Sequence, residues 1–287
     1  MRSWLLVEQP GPWGCKAPLD SRMEDVVART LLSASQRLGF RVLLVRRPGW
    51  EQPDGLRSAL LARTDASGGW IECVGFGDPA ELLELDLSVL DSRTPPGVGE
   101  PGPAMVSLVC TNGRHDACCA DRGRPVVRAL DEAGVADVWE TTHVGGDRFA
   151  ANVVCLPMGL YLGRVEPEDA EGVLAQVRDG VIPLENYRGR SCFQPLVQAA
   201  EWHVRRELDE RRLHALRLTS DERLGENERR VSFQVDGGQV VTAHVRRTRA
   251  EDVQQLTCAS GNTGRPWRYE LASPVFFTAA DDYRQLR

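Results

Sequence analysis

From the start of the chain to Arg190, apolar and polar positions follow two successive rounds of strand-like and helix-like periodicity. The first round predicts a strand at residues 4–7 and a helix at residues 23–38 that ends at Gly39. Three strand segments follow, RVLLV, SALLART and WIECVG, and then a helix at residues 79–90. The predicted order of this half is β-α-β-β-β-α.

The pattern repeats after a stretch rich in Pro and Gly, residues 92–103, which has the composition of a linker. The repeat predicts a strand at 105–109, a helix at 125–133 with Pro125 at its first position, and a strand at 138–142. A hairpin formed by 152–156 and 160–165 and a helix at 167–177 complete it. The order is again β-α-β-β-β-α, so we expect an α/β protein with two similar halves at residues 1–95 and 104–190.

A third region, residues 191–287, has a different pattern. A long helix is predicted at 197–216, followed by the alternating runs VSFQV and VVTAHVRR on either side of an Asp-Gly-Gly turn. The run WRYEL predicts one more strand. We therefore expect a small α+β region at the carboxyl end.

Composition and charge narrow the possible functions of the 287 residues. A hydrophobic content of 42% and a charged content of 26% are typical of a globular protein. A net charge of −6 argues against a nucleic-acid partner. No apolar run is long enough to span a membrane and no signal peptide is recognisable, so the sequence predicts a cytoplasmic protein without a membrane partner.

Two short motifs in the second half carry residues that commonly bind metals. Cys110 and Cys119 stand nine positions apart in VCTNGRHDACC, and His143 and Asp147 stand four apart around a Gly-Gly pair. Thiolates select iron–sulfur clusters, zinc or cuprous ions, and imidazole suits iron, zinc and copper. The sequence therefore predicts a metal site formed by these four residues, with the metal left open between these choices.

The local sequence supports this prediction, although simpler explanations exist. Asp116 is expected to cap the turn that holds Cys118 and Cys119 and to favour their thiolates, and Gly145 and Gly146 allow the turn that brings His143 and Asp147 together. The simpler explanations are that Cys110 and Cys119 are buried apolar thiols, and that Asp147 caps a turn or pairs with Arg148. Cys118 is the alternative donor to Asp147. No role is predicted for the remaining cysteines and histidines: Cys15, Cys73, Cys155, Cys192, Cys258, His115, His203, His214 and His244.

With these motifs in place, the chain resembles the sucrase/ferredoxin-like family, also described as thioredoxin-like ferredoxins. The matching segments are LLVEQPGPWG, VCTNGRHDACCADRGRPV, THVGGDRFAANVVCLPMGLYLGRV and YRGRS, which together extend over about the first 200 residues. The resemblance implies a thioredoxin-like fold, here in two tandem halves, that carries a [2Fe-2S] cluster and transfers electrons.

The family's cluster ligands are two cysteines nine apart and a His-x-x-x-His pair around Gly-Gly. By resemblance, the ligands here are Cys110, Cys119 and His143, and Asp147 stands where the family has its second histidine. The first half is expected to lack the cluster, because Glu8 stands where the second half has Cys110.

The resemblance implies a non-enzymatic electron carrier that works with a redox partner protein, either a reductase or an acceptor. Two other functions stay open at the level of the sequence. One is a thiol-based, thioredoxin-like redox enzyme that uses Cys118 and Cys119, and the other is an interaction protein that holds zinc through Cys110, Cys119 and His143.

Overall fold

The computed structural model describes residues 1–50, 55–258 and 262–278, and within these ranges the chain forms four α-helices and seventeen β-strands. The helices are α1 (Asp25–Leu38), α2 (Ala117–Glu132), α3 (Ala170–Arg178) and α4 (Pro195–Leu208). The strands up to Arg190 are β1 (Ser3–Glu8), β2 (Phe40–Arg46), β3 (Arg57–Asp65), β4 (Gly68–Phe76), β5 (Glu100–Pro101), β6 (Val106–Cys110), β7 (Val138–Thr141), β8 (Val153–Leu156), β9 (Leu160–Leu162) and β10 (Tyr187–Arg190). The later strands are β11 (Leu216–Arg223), β12 (Glu228–Val235), β13 (Val240–Arg249), β14 (Gln254–Gln255), β15 (Thr263–Gly264), β16 (Trp267–Leu271) and β17 (Phe276–Thr278).

The strands before residue 191 form one large mixed sheet, which has the order β10-β9-β8-β6-β7-β2-β1-β3-β4-β5 in the described part of the chain. In the first half β1 and β2 are parallel, with α1 between them in the chain, and β3 is antiparallel to β1. The second half repeats this arrangement with β6, α2, β7 and β8. The two halves meet where β2 and β7 pair in antiparallel fashion, so that Val45 lies opposite Thr141.

The central strands are buried on both sides, which explains why their sequences are continuously apolar. All six residues of β1 and all five of β6 are buried. The helix α1 places Val27, Ala28 and Leu31 in the core and ends at Gly39, whose φ of 76° requires the left-handed conformation that glycine tolerates. Burial of these strands and of one face of the helix forms the core of the first half.

A buried ion pair lies where the two halves meet. Nη2 of Arg46 in β2 donates to Oε2 of Glu140 in β7 at 2.6 Å, and both side chains are less than a tenth exposed. The hydroxyl of Thr111 donates to the same carboxylate oxygen at 2.6 Å. Removing one partner alone would destabilise the β2–β7 junction, because a buried charge would be left without compensation.

The region after Arg190 packs α4 against a second sheet with the order β11-β12-β13-β16, to which β17 also pairs. A buried network links it to the large sheet. Glu201 in α4 accepts from Arg190 and Tyr187, which lie in β10, and from Arg205 one turn further along α4. Glu201 therefore helps to join α4 to β10.

Three helix predictions are wrong in position or type. Residues 79–90 form two short 3-10 turns, Pro79–Leu83 and Leu87–Asp91, because Asp78 and Asp86 each cap a separate turn. The helix predicted to begin at Pro125 begins at Ala117 instead, so that Pro125 lies inside α2. The helix predicted at 197–216 ends at Leu208, because Asp209 adopts a left-handed conformation.

Other boundaries differ by fewer residues. The strand predicted at 160–165 ends at Leu162, and the helix predicted at 167–177 is α3, Ala170–Arg178. Strand β11 replaces the end of the overlong helix. None of the helices in the described ranges combines the length and apolar character needed to cross a bilayer.

Candidate metal centre

The two cysteines of the predicted site come from a strand end and the first turn of the following helix. Cys110 is the last residue of β6, and Cys119 is the third residue of α2. Helix and strand approach closely at Gly123, where a Cβ atom would lie 2.1 Å from the carbonyl oxygen of Cys110. Glycine at this position allows α2 to pack closely against β6, and this packing brings the thiols of Cys110 and Cys119 together.

Asp116 fixes the beginning of α2, as expected from the sequence. It is the N-cap residue, and its side chain accepts a hydrogen bond from the backbone N–H of Cys118 at 3.2 Å. The helix therefore starts at the cysteine pair, eight residues before the proline that the sequence indicated as its start.

The histidine and the aspartate lie on the loop that follows β7. Gly145 and Gly146 have φ values of 97° and 81°, a region that side-chain-bearing residues avoid, and the turn brings Nδ1 of His143 within 3.3 Å of Oδ1 of Asp147. Arg41 in β2 holds the loop from the first half of the chain. Its guanidinium donates to the carbonyl oxygens of His143 at 2.8 Å and Val144 at 3.2 Å.

The structure brings all four predicted residues together. The Sγ atom of Cys119 lies 3.6 Å from Nδ1 of His143 and 3.8 Å from Oδ1 of Asp147. Donor atoms of Cys110, Cys119 and His143 lie within 4.8 Å of one another, as do those of Cys118, Cys119 and Asp147. Both thiols at the centre are 1% exposed, whereas the side chains of His143 and Asp147 are 19% and 10% exposed, so the site opens toward solvent on the His143 side.

This donor set suits a metal by its chemistry. Two sulfur atoms, an imidazole nitrogen and a carboxylate oxygen converge in a pocket that excludes most water, and such mixed sulfur and nitrogen donors bind iron–sulfur clusters or zinc. Cys118 is the less suitable donor, because its thiol is directed to the carbonyl oxygen of Asp147 at 3.4 Å. The residues present therefore fit a thiolate-bound metal centre.

The thiols differ in acidity in a way that the sequence did not indicate. A hydrogen bond from Cys119 keeps the pKa of Cys110 well below its ordinary value despite burial, with further support from His143 and the backbone of Val144. The same contact with Cys110, together with burial, raises the pKa of Cys119. Burial and the neighbouring Asp116 and Cys258 raise the pKa of Cys118.

These shifts correct the expectation that the helix start favours thiolates at Cys118 and Cys119. The cysteine whose pKa is lowered is Cys110, at the end of the strand. Because the thiolate is the reactive form of cysteine, the raised pKa values argue against a thiol enzyme that uses Cys118 and Cys119.

Two further residues lie at the site although no role was predicted for them. The imidazole ring of His115 stacks on that of His143 with centroids 3.9 Å apart, and its Nδ1 lies 3.1 Å from the carbonyl oxygen of Cys15. Cys258 donates its backbone N–H to Asp116 at 2.9 Å, and its thiol lies within 4.8 Å of the Cys118 thiol. The position of His115 in the cysteine loop was a usable signal, but nothing in the sequence near Cys258 indicates a contact 142 positions away.

The corresponding position in the first half holds no metal ligand. Glu8 ends β1 as Cys110 ends β6, and its carboxylate is buried and accepts a hydrogen bond from the backbone N–H of Ser58 at 2.8 Å. Glu8 therefore satisfies the backbone of the neighbouring β3.

Comparison with known proteins gives a family match and one partial relative. A family model described as sucrase/ferredoxin-like matches residues 4–189. A protein of the yeast Meyerozyma guilliermondii, "Altered inheritance of mitochondria protein 32", is 33% identical over 93 residues, which are 29% of this chain and 33% of the relative. The match thus spans a third of that relative's length. No solved structure matches.

Proposed function

Because the chain belongs to the sucrase/ferredoxin-like family, we propose that it is a non-enzymatic electron carrier with a [2Fe-2S] cluster held by Cys110, Cys119, His143 and Asp147. The observation that carries this proposal is that the residues at the family's ligand positions lie at one site, to which a strand end, a helix start and a glycine turn contribute. When bound, the cluster would accept and release one electron at a time.

The surrounding residues suit this role by holding the donors in place. The lowered pKa of Cys110 favours the thiolate form that binds a metal, and the N-cap Asp116 and the close contact at Gly123 fix the position of Cys119. Arg41 fixes the histidine loop through two backbone carbonyls. The exposed edge of the His143 ring, covered in part by His115, is the natural point of approach for a reductase or an acceptor protein.

Asp147 gives this chain a distinct ligand set within the proposed arrangement. Neutral imidazoles in place of thiolates raise the reduction potential of a cluster by removing negative charge, as in Rieske centres. A carboxylate in place of one imidazole restores that charge. The potential of this protein should accordingly lie below that of a centre with two cysteines and two histidines.

The fold also supports a proposal about domain organisation. Strands β1–β4 with α1, and β6–β9 with α2, share the same strand order and the same parallel and antiparallel pairings. We infer two thioredoxin-like halves in tandem, residues 1–95 and 104–190, of which only the second carries the cluster, followed by an α+β region at 191–287. The cytoplasmic location of the chain stays a prediction.

The donor spacing favours one competing function, an interaction protein with a structural zinc. A tetrahedral zinc with Zn–S bonds of about 2.3 Å holds two sulfur atoms roughly 3.8 Å apart. The distances from Cys119 to His143 and Asp147, 3.6 Å and 3.8 Å, are of this size. A two-iron cluster needs the cysteine loop and the histidine loop further apart, since each pair of ligands then binds a different iron.

Metal analysis of the purified protein separates the two functions. We expect iron and acid-labile sulfide in equal amounts, and visible absorbance that dithionite bleaches. The substitution Cys110→Ser or Cys119→Ser should abolish the iron and sulfide content and the visible absorbance. The substitution Cys73→Ser in the first half should retain them. A colourless protein with stoichiometric zinc would contradict the electron-carrier function, and colour that survives in Cys119→Ser would contradict the ligand assignment.

A further inference from the structure

A cavity of about 580 Å³ lies beside the loop that carries His143 and Asp147, between the end of the large sheet and α4. Its wall is unusually rich in arginine and aromatic side chains: Phe149, Arg164, Arg188, Trp202, Arg206 and Arg211. A neighbouring recess shares Phe149, Arg188 and Trp202 with it and adds Arg148. This volume lies within the usual range for cavities that bind small molecules.

Three guanidinium groups surround a single aromatic ring at this cavity. The Cζ atoms of Arg188, Arg148 and Arg164 lie 4.3 Å, 4.7 Å and 5.2 Å from the centroid of Phe149. The ring offers each of them a favourable cation–π contact, but the positive charges repel one another. Such crowding is unexpected in a chain of net charge −6.

Among the residues that the structure describes, Arg211 is the cavity arginine that forms salt bridges with carboxylates. Arg211 donates to both carboxylate oxygens of Glu185, at 2.9 Å and 3.2 Å, and also lies 3.6 Å from Asp209. Within the described residues, no salt bridge joins a carboxylate to Arg148, Arg164, Arg188 or Arg206. The cavity therefore holds positive charge in excess.

Arg188 is the most confined of these groups. Burial above all, with help from the nearby Arg148 and Arg164, lowers its pKa to about 10 against the opposing effects of Tyr161 and Asp147. A half-buried cation next to like charges is stabilised when an anion enters. The side chain is already held in place, because its Nη1 donates to Oδ1 of Asn152 at 2.6 Å.

We propose that this cavity binds a small polyanion with phosphate or carboxylate groups through Arg164, Arg188 and Arg206. The three arginines come from different elements, the turn after β9, β10 and α4, so one anion would bridge the large sheet and the carboxyl-terminal region. The planar guanidinium presents paired N–H donors that match phosphate or carboxylate oxygens. Phosphate and carboxylate groups share this chemistry, and separate titrations with a phosphate and a carboxylate compound distinguish them.

Arg188 also connects the cavity to the loop that carries His143 and Asp147. The Nδ2 atom of Asn152, whose Oδ1 accepts from Arg188, donates to the carbonyl oxygen of Gly146 at 3.0 Å. Gly146 precedes Asp147 and packs so closely on the Arg188 guanidinium that a Cβ atom there would lie 2.3 Å from it. An anion bound to Arg188 would therefore act on the loop that carries His143 and Asp147, but its binding does not depend on the cluster.

The test is isothermal titration calorimetry of the 287-residue chain with pyrophosphate and, separately, with citrate. We expect saturable binding of at least one probe, and the probe that binds identifies the anionic group. Replacing Arg164→Gln or Arg206→Gln should weaken binding by roughly tenfold each, as for loss of one charge-assisted contact. Arg93→Gln, an exposed arginine in the linker, is the matched control and should bind like the unmodified protein.

Two results would overturn the proposal: no binding of either probe at millimolar concentration, or equal affinity in the control and in both cavity variants. Arg164→Lys keeps the charge but loses the planar fork, so it should restore only part of the affinity. The Cys110→Ser variant, which we expect to lack the metal, should still bind the anion. That titration separates a failure of the cavity proposal from a failure of the cluster proposal.

Discussion

The Sγ atom of Cys119 lies 3.6 Å from Nδ1 of His143, although the residues are 24 positions apart. The contact follows from topology, because β6 and β7 are parallel neighbours and their carboxyl ends reach the same edge of the sheet. The cysteine loop leaves one strand and the histidine loop leaves the other. A thiol and an imidazole thus meet at the place where α/β folds commonly bind ligands.

The close approach of α2 to β6 makes a glycine substitution informative. Gly123→Ala should destabilise the fold by about 1–3 kcal/mol and lower metal content, because the new Cβ meets the Cys110 carbonyl at 2.1 Å. Gly172→Ala in α3 is the matched control, since its Cβ meets nothing within 4 Å, and it should stabilise by about 0.5–1 kcal/mol. Denaturant unfolding measures both effects. Equal stability of the two variants would contradict the packing described for Gly123.

The role of Asp147 can be tested through the reduction potential. Asp147→His should raise the midpoint potential by something on the order of 100 mV. Two replacements of thiolate by imidazole separate Rieske centres from plant-type ferredoxins by roughly 250 mV or more, and replacing a carboxylate by imidazole likewise removes one negative charge. Spectroelectrochemical titration measures the change. The control is Cys118→Ala, which keeps Asp147 and should leave the midpoint potential unchanged. An unchanged midpoint in Asp147→His would show that Asp147 is not a ligand.

Arg41 should control how firmly the metal is held. Arg41→Gln removes the two hydrogen bonds to the carbonyl oxygens of His143 and Val144, so metal should be lost faster to a chelator while its identity stays the same. Competition with a chromogenic chelator gives the rate. The control is Arg37→Gln, an exposed position at the end of α1, and equal rates for the two variants would count against this contact.

Glu201 should make stability depend on acid pH. Burial raises its pKa, but Arg190 and Arg205 outweigh burial, so the folded-state pKa lies below the ordinary value of 4.5. Its contribution is fully present above about pH 4.5 and is lost as the pH falls through the folded-state pKa.

Glu201→Gln should cost about 3–5 kcal/mol at pH 7, because two arginines stay buried without their partner. The difference from the unmodified protein should shrink below pH 4. Unfolding curves at several pH values check this, and a difference that is constant from pH 7 to pH 3 would be the contrary result.

The sequence predicted eight of the ten strands that the large sheet has in the described residues, and the N-cap at Asp116, because apolar runs and capping residues are local signals. It did not predict β10, or β5, which lies in the stretch interpreted as a linker and pairs with β4. Helix boundaries were less predictable. Pro125 was interpreted as a helix start, although α2 begins eight residues earlier at its capped end and tolerates the proline inside. The helix predicted at 197–216 was too long because Asp209, a residue that occasionally adopts left-handed angles, gave no clear stop.

In the candidate site too, local signals were predictable from the sequence and contacts between distant segments were not. Cys110, Cys119, His143 and Asp147 were recognisable from spacing and glycine content, and the structure brings them together. The support from Arg41 and the approach of Cys258 arise from contacts between distant segments, over 102 and 142 positions, which no local pattern encodes. The sequence did not indicate the arginine cavity for the same reason, since the three arginines proposed to bind the anion come from three separate segments.

Electron paramagnetic resonance of the dithionite-reduced protein tests the central claim most directly. The proposed cluster, with His143 bound to iron, predicts a signal from one unpaired electron per chain with nitrogen hyperfine coupling. His143→Cys should keep the signal but remove the coupling. A reduced protein without an iron signal, or a signal whose nitrogen coupling persists in His143→Cys, would contradict the account.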